Sequence, residues 1–262
     1  MIRVTVVLAL NKYDSYTQKA IDSILCQSYT NFEFIIVANS CSDDDYELIR
    51  QCCLLDERII LYRNKISQLP FSLNFALNEA KGEYIARMDA DDISLPNRLL
   101  RQVEFLDEHK DISVVGSSYY LIDEDDKCYS LIQAITSPVS IYNKFPLGTL
   151  LCHPSVMMRR LDVLSVGGYC YGLFAEDYDL WLRLIAKNKY CISNIDEPLI
   201  QYRVHTNQAT GTTNSTRNIS YNYGLMIINF IQTKRIKFLL GLLWQAPCFI
   251  RIKRFIKERV IL

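Results

Sequence analysis

An α/β fold, with a Rossmann-like, mostly parallel sheet flanked by helices, is predicted by three observations. Over the first 120 residues, short β-branched runs alternate strictly with amphipathic helical patterns, which is the signature of βαβ units with right-handed crossovers. The runs are continuously apolar, as strands buried on both faces must be. Half of the 262 residues are hydrophobic and 22% are charged, enough to build a substantial core and to exclude disorder.

The elements follow in order. Strands are expected at Val4–Leu10, Glu33–Ala38, Ile59–Tyr62, Tyr84–Met88 and Ile112–Gly116. Between the first two, Asp14–Tyr29 reads as a helix opened by a Ser15–Gln18 capping box, with Ala20, Ile21, Ile24 and Leu25 on its apolar face. Ser42–Cys53 and Phe71–Lys81 are further helices, the second closed by Gly82 as a C-cap. Ser94–His109 is a fourth, with Pro96 in its first turn. After Asp123 the rhythm changes to a mixed region added at the edge of the first half. It comprises an acidic turn (Asp123–Asp126), a strand Cys128–Ile135, a short helix Pro138–Phe145 and a strand Ser155–Arg159. A Gly167-Gly168 turn, a helix Glu176–Lys187 and two short strands, Tyr190–Ile195 and Leu199–Val204, complete it. Thr206–Asn218, rich in Thr, Asn and Ser, reads as a linker. The expected division is a domain over 1–208, with halves 1–120 and 121–208, followed by a linker and basic helical tail over 209–262.

Charge sharpens that division. Lys+Arg and Asp+Glu both number 29, a balance that argues against a nucleic-acid binder. From Lys234 onward, however, Lys234, Arg235, Lys237, Arg251, Lys253, Arg254, Lys257 and Arg259 oppose Glu258 alone, so the tail is net +7 and the remainder −7. Phe238–Ile250, apolar and carrying Trp244, is too short to cross a bilayer, which needs about 20 residues. Flanked by Lys and Arg, it is expected to lie on an anionic cytoplasmic membrane face; the alternative is a helix packed on the body or on a second subunit. Nine cysteines, one vicinal pair and no metal-ligand spacing read as reduced thiols of a cytoplasmic protein. Arg3 leads straight into the apolar run with no small-residue cleavage site, so a first core strand is expected there rather than a signal peptide.

Ligands of open parallel sheets bind beyond the carboxyl ends of the strands. Two polar clusters fall there: Asn39-Ser-Cys-Ser-Asp43 after the second strand and Asp89-Ala-Asp-Asp92 after the fourth. Carboxylates at i and i+2 in extended chain point to one side and repel unless a cation joins them; hard oxygen ligands favour Mg²⁺ or Mn²⁺ beside a phosphate. The plainer alternative is that Asp92 or Ser94 caps the next helix. Glu176 and Asp177 open a helix whose Leu180, Trp181, Leu184 and Ile185 are apolar; they serve either as a general base or as compensation for the helix dipole. His153 and His205 are two of the three histidines, the third, His109, ending a helix; His205 is either a third metal ligand or phosphate contact, with Arg203 as charge partner, or a structural residue.

These blocks carry a resemblance. Val4–Leu10, Ser23–Gln27, Phe32–Val37, Gly82–Arg98, His153–Arg160, Glu176–Arg183 and Tyr202–His205, in that order, resemble glycosyltransferase family 2 of the bacterial surface-polysaccharide type over roughly residues 3–208. The resemblance implies a GT-A fold and inverting, metal-dependent transfer from a nucleotide sugar, a UDP-sugar being the expected donor, with hexosyl or N-acetylhexosaminyl transfer to a glycan or lipid-linked glycan. It implies Asp177 as general base, Asp91 as metal ligand with His205 beside it, and Ala9, Asn39, Asp43, Asp89 and Ala90 as donor contacts. Glu176, His153 and Arg203 are expected on the acceptor side or just behind it. Asn39 departs from the family, where an Asp commonly meets uracil, and the Gln-x-x-Arg-Trp signature of processive synthases is absent. A sugar nucleotidyltransferase would use similar parts, but Asn11–Asp14 is not the glycine-rich phosphate loop it requires. A binding relative without turnover is the other alternative, weighed against the retained Asp89, Asp91 and Asp177.

Overall fold

The computed structural model describes residues 2–54, 56–170, 175–205 and 215–246. In chain order the elements are β1 (Val4–Leu10), α1 (Thr17–Leu25), β2 (Phe32–Asn39), α2 (Asp43–Cys53), β3 (Ile59–Asn64), α3 (Leu69–Glu79), β4 (Tyr84–Met88) and β5 (Ile93–Ser94). There follow α4 (Arg98–Glu108), β6 (Val114–Ile122), β7 (Cys128–Ile132), α5 (Pro138–Lys144), β8 (Met157–Arg159), α6 (Arg160–Ser165), α7 (Glu176–Lys187), β9 (Ile192–Arg203), α8 (Ser215–Thr233) and α9 (Lys237–Gln245).

The strands form one sheet in the order β3-β2-β1-β4-β8-β6-β9-β5, with β7 paired to β6. β3, β2, β1 and β4 run parallel, as the alternation predicts, and β6 pairs parallel with β9. The second half is not appended at the edge, as expected. Its β8 inserts antiparallel between β4 and β6, so the two halves share one sheet and the strands after Met88 and after Ile122 open toward common loops. Sheet alternation builds two cores. Val4, Val6, Leu8, Phe34 and Ile36 face α1, α2 and α4 through Ile21, Ile24, Ile49, Leu99 and Val103. Val7, Ile35, Val37 and Ile85 face α3 and α7 through Leu73, Ala76, Leu77, Leu180 and Trp181.

Several expected boundaries move, each for a local reason. No Ser15–Gln18 capping box forms; Asp14 makes the turn instead, its Oδ1 accepting from Tyr16 N and the Thr17 hydroxyl. Ser94 belongs to β5, paired with Ile200, and neither it nor Asp92 caps α4; the Leu99 N–H is satisfied by Gln27 from the end of α1. Gly82 is not a left-handed C-cap. It is needed because the chain passes so close to β1 that a Cβ would lie 2.5 Å from Thr5 N. The two expected strands after Lys187 are one, β9, bent where its register with β6 shifts at Ser118. Helix α8 already begins at Ser215, within the expected linker, whose residues 206–214 lie outside the described ones. In the tail, α9 packs on the body: Phe238 is buried, and a Cβ at Gly241 would meet the Pro146 carbonyl. The rest of the expected interfacial segment, 247–250, lies outside the described residues. Among the described residues no helix is long and apolar enough to cross a membrane, and the eight described cysteines are free thiols.

Candidate active site

The acids after β4 converge. Asp89, Asp91 and Asp92 each offer a carboxylate oxygen within 4.8 Å of the others. Unit charges about 4 Å apart repel by about 4 kcal/mol at the effective dielectric of a protein site, so the cluster needs compensation. Part of it comes from protein. Asp89 is ion-paired with Arg87, and His205 Nε2 lies 2.9 Å from Asp91 Oδ2. Asp92 Oδ1 accepts from the Arg203 backbone N–H, whereas its Oδ2 is buried with no partner. Burial, followed by the Asp89 and Asp91 charges, pushes the Asp92 carboxyl well above the usual carboxylate range. Three hard oxygen donors with one orphaned oxygen fit Mg²⁺ or Mn²⁺. His205 is not in this ligand group; its ring bears on Asp91 and packs beside Tyr16.

Arg203 holds the loop from behind. The residue is fully buried; Nε donates to the Asp91 carbonyl at 2.7 Å, Nη1 to the Asp123 carbonyl at 2.8 Å, and Nη2 pairs with Asp126 at 2.5 Å. Its guanidinium stacks over Tyr16. The acidic turn read from sequence as punctuation is thus half of a clamp, in which Asp126 also pairs with Lys19 of α1.

Glu176 and Asp177 stand on the first turn of α7, entered through Ala175 in a left-handed conformation (φ 59°). Asp177 Oδ1 accepts from Tyr178 N at 2.7 Å. The helix is pinned at both ends of its buried face. The Tyr178 hydroxyl donates to the Phe145 carbonyl, Trp181 is fully buried, and Arg183, paired with Asp179, donates to Gly168 O. Burial first, then the Asp177 charge, raises the Glu176 carboxyl to about 7; burial also raises Asp177. Both acids feel Arg87 and Asp89, so the two acid groups, 88 positions apart in chain, share one electrostatic neighbourhood. His153 lines the same region as a neutral ring: its Nε2 meets the Tyr169 hydroxyl at 3.0 Å, Trp181 lies edge-on, and burial plus Arg87 depress its proton affinity.

At the carboxyl ends of β2 and β3 a cleft of about 600 Å³ is lined by Ser40, Cys41, Asp43, Arg63, Asn64 and Lys65. Asp43 pairs with Arg63 at its rim. Asn39, 6% exposed, donates through Nδ2 to Ser72 Oγ, which also accepts from Asn64 Nδ2 and donates to Gln68 O. That network fixes the amide, and among the described residues Oδ1 is the side of Asn39 without a hydrogen bond. Ala9, next to last in β1, is in register with Val37, and Ala90 lies between the first two acids of the loop. Sequence reasoning missed Arg87, Tyr169 and Ser72. Only Arg87 carried a signal, as a lone charge in a strand otherwise buried and uncharged.

Comparison with known proteins bears on the family and the fold. The family model described as Glycosyl transferase family 2 matches residues 5–167. The chain is 38% identical over 208 residues to the O-antigen biosynthesis glycosyltransferase WbnJ of Escherichia coli, covering 77% of this chain and 80% of that one. It is 34% identical over 206 residues to an uncharacterized glycosyltransferase of Methanocaldococcus jannaschii, covering 77% and 70%. Among solved structures, S. aureus TarS 1-349 in complex with UDP-GlcNAc superposes with a TM-score of 0.74 at 16% identity, over 95% of this chain and 73% of that one. Of the longer TarS chain the match covers 39%, with a TM-score of 0.64 and 17% identity over 88% of this chain. Mannosyltransferase PcManGT of Pyrobaculum calidifontis, in complex with GDP-Man and Mn²⁺, gives a TM-score of 0.67 at 16% identity over 93% and 69%. These likenesses identify the curled, helix-flanked sheet as a GT-A fold, and by the family match and its relatives the chain belongs to glycosyltransferase family 2.

Proposed function

We propose that the chain, through its 1–208 unit, moves one sugar with inversion from a nucleoside-diphosphate sugar to a hydroxyl of a lipid-linked glycan during cell-surface polysaccharide synthesis. The observation that carries this reading is the common neighbourhood of Asp89 and Asp177 around Arg87, since single-displacement transfer needs an acid group at the donor phosphates and a separate base at the acceptor. Asp177 takes the proton of the acceptor hydroxyl as its oxygen bonds to the anomeric carbon; the bond from that carbon to the diphosphate breaks on the opposite face, and the diphosphate leaves with the electron pair. Mg²⁺ or Mn²⁺ held by Asp91, with Asp89 and Asp92 alongside, would supply electrostatic stabilisation of the leaving diphosphate.

The free Asn39 Oδ1 supports uridine as the base, because it can accept from an N–H in the ring plane as a carboxylate would, without charge. Ala9, Asp43 and Ala90 complete the donor side in this reading, and a hexosyl or N-acetylhexosaminyl donor accords with the UDP-GlcNAc and GDP-Man held by the structural neighbours. The polysaccharide setting draws on the O-antigen role in the name of WbnJ. Peripheral contact with the inner face of the cell membrane is supported by the helical hairpin α8–α9. Its inner side is buried through Leu225, Met226 and Phe238, while Ile227, Ile228, Ile231, Ile236, Leu240 and Leu243 remain exposed beside the basic stretch that begins at Lys234. Transfer and UDP binding measured on Asp177→Asn test the reading. Lost transfer with retained Mn²⁺-dependent UDP binding is expected; retained transfer would overturn it.

A further inference from the structure

Helix α3 holds two parts of the site at once. Helix α6 ends in two left-handed glycines, Gly167 (φ 86°) and Gly168 (φ 68°), whose N–H groups return to Leu164 O and Val163 O. Tyr169 lies beyond that cap, and both of its backbone groups go to one side chain. Asn74 of α3 accepts from Tyr169 N through Oδ1 at 2.8 Å and donates to Tyr169 O through Nδ2 at 2.8 Å. Meeting one donor and one acceptor on the same residue fixes which way the amide points. The approach is so close that a Cβ at Gly168 would lie 2.4 Å from Asn74 Oδ1. From the other side Arg183 of α7 donates to Gly168 O at 2.6 Å and to Val166 O. Asn is a poorer helix former than Ala or Leu, so an interior position of α3 sacrifices propensity for this clamp.

The clamped residue reaches the site. Tyr169 is buried, and its hydroxyl meets His153 Nε2 at 3.0 Å; the His153 ring in turn stands edge-on to Trp181 of α7, centroids 6.1 Å apart. The same helix α3 carries Ser72, whose hydroxyl takes the amides of Asn39 and Asn64. We propose that Asn74 is a positioning residue for transfer: by fixing the Tyr169 backbone it sets the Tyr169 hydroxyl against His153 beside α7, from the helix that orders Asn39. Two reactants held in separate subsites must keep their spacing, since a misplacement of about 1 Å costs on the order of 10²-fold in rate. A helix bonded to both sides keeps it. Asn74 touches no reacting atom and acts through Tyr169. The inference rests on the reading in which Asn39 meets the donor and Asp177 of α7 is the base.

The test follows the His153 ring nitrogens by ¹⁵N NMR in full-length protein labelled at histidine, with His153→Gln supplying the assignment. Tyr169→Phe removes the hydroxyl and should shift the Nε2 resonance. Asn74→Ala should shift it in the same direction, although Asn74 makes no contact with the ring. Asn74→Asp still accepts from Tyr169 N and should keep most of the wild-type position. Asn78→Ala is the control: it removes only the exposed Nδ2 bond to Asn74 O, one turn along α3, and should leave the resonance unmoved. In Asn74→Ala, Mn²⁺-dependent UDP affinity by calorimetry should stay within about twofold of wild type. Release of UDP from UDP-GlcNAc or a UDP-hexose should lose about tenfold or more in kcat, with KM altered less. Should Asn74→Ala fail to fold, Asn74→Ser, too short to reach both Tyr169 groups, takes its place. A wild-type His153 resonance in the Ala or Ser variant overturns the inference, as does an equal shift in Asn78→Ala or a UDP affinity that falls in step with kcat. Retained transfer in Asp177→Asn overturns the base assignment instead, and leaves the His153 readings standing.

Discussion

The two acid groups of the site are held in opposite ways. The Asp89–Asp92 loop is tied from several directions, by Arg203, by the β5–β9 pairing, by His205 and by the Asp123–Asp126 turn. Glu176 and Asp177 sit at a helix start whose position is fixed from below, through Tyr178, Trp181 and Arg183, and among the described residues a local backbone N–H is what Asp177 itself accepts from. The first arrangement suits ligands of an ion, where a misplacement of a few tenths of an ångström spoils coordination. The second suits a base, whose proton affinity is set by burial and neighbouring charge and whose carboxylate must reach a variable acceptor. Rigidity and tuning are thus separated within one site.

The sharpest break in that comparison is chemical. Asp177→Asn should lower transfer by about 10³-fold or more while UDP affinity in Mn²⁺ changes little, as expected for loss of a general base at a single-displacement centre. Parallel kinetic and calorimetric measurements separate the two. Asp91→Ala should do the reverse, removing the Mn²⁺ dependence of UDP binding; unchanged titrations with and without Mn²⁺ would exclude Asp91 as a ligand. Arg203→Ala should destabilise the fold by about 3–5 kcal/mol, read by denaturant unfolding, because it strands Asp126 and the loop carbonyls. Arg203→Lys should restore part of the stability without restoring the loop geometry.

Smaller effects sharpen the electrostatics. Glu176 holds its proton in the folded state up to about pH 7, well above its unfolded value, so its ionisation costs stability as pH rises from about 4.5 to 7. Glu176→Gln should therefore raise Tm relative to wild type more at pH 8 than at pH 5, as thermal unfolding at the two pH values would show. At the tail, Leu240→Ser with Leu243→Ser should reduce sedimentation with phosphatidylglycerol vesicles and leave UDP binding unchanged. Deleting the tail before Lys234 is not equivalent, since it strips Phe238 and Gly241 from the body.

Much of this was legible in the sequence where signals are local. The apolar runs at Val4–Leu10 and Tyr84–Met88 gave the parallel half nearly to the residue, and the spacing of Asp89, Asp91 and Asp92 gave a convergent acid cluster. What stayed hidden depends on residues distant in the chain. The insertion of β8 between β4 and β6 is a pairing choice that Met157–Arg159 alone does not encode. The capping of α4 by Gln27 and the grip of Arg203 on Asp91 O join residues 72 and 112 positions apart. Arg87 was visible as a charge in a buried strand, but its burial against Asp89 was not.

The most direct test of the central claim is a crystal of the chain grown with UDP and Mn²⁺, with the metal located by its anomalous scattering. The account predicts one Mn²⁺ held by an Asp91 carboxylate oxygen beside the diphosphate, with the Asp177 carboxylate lining the same cavity on the acceptor side. Manganese bound away from Asp91, or Asp177 walled off from that cavity, would contradict it.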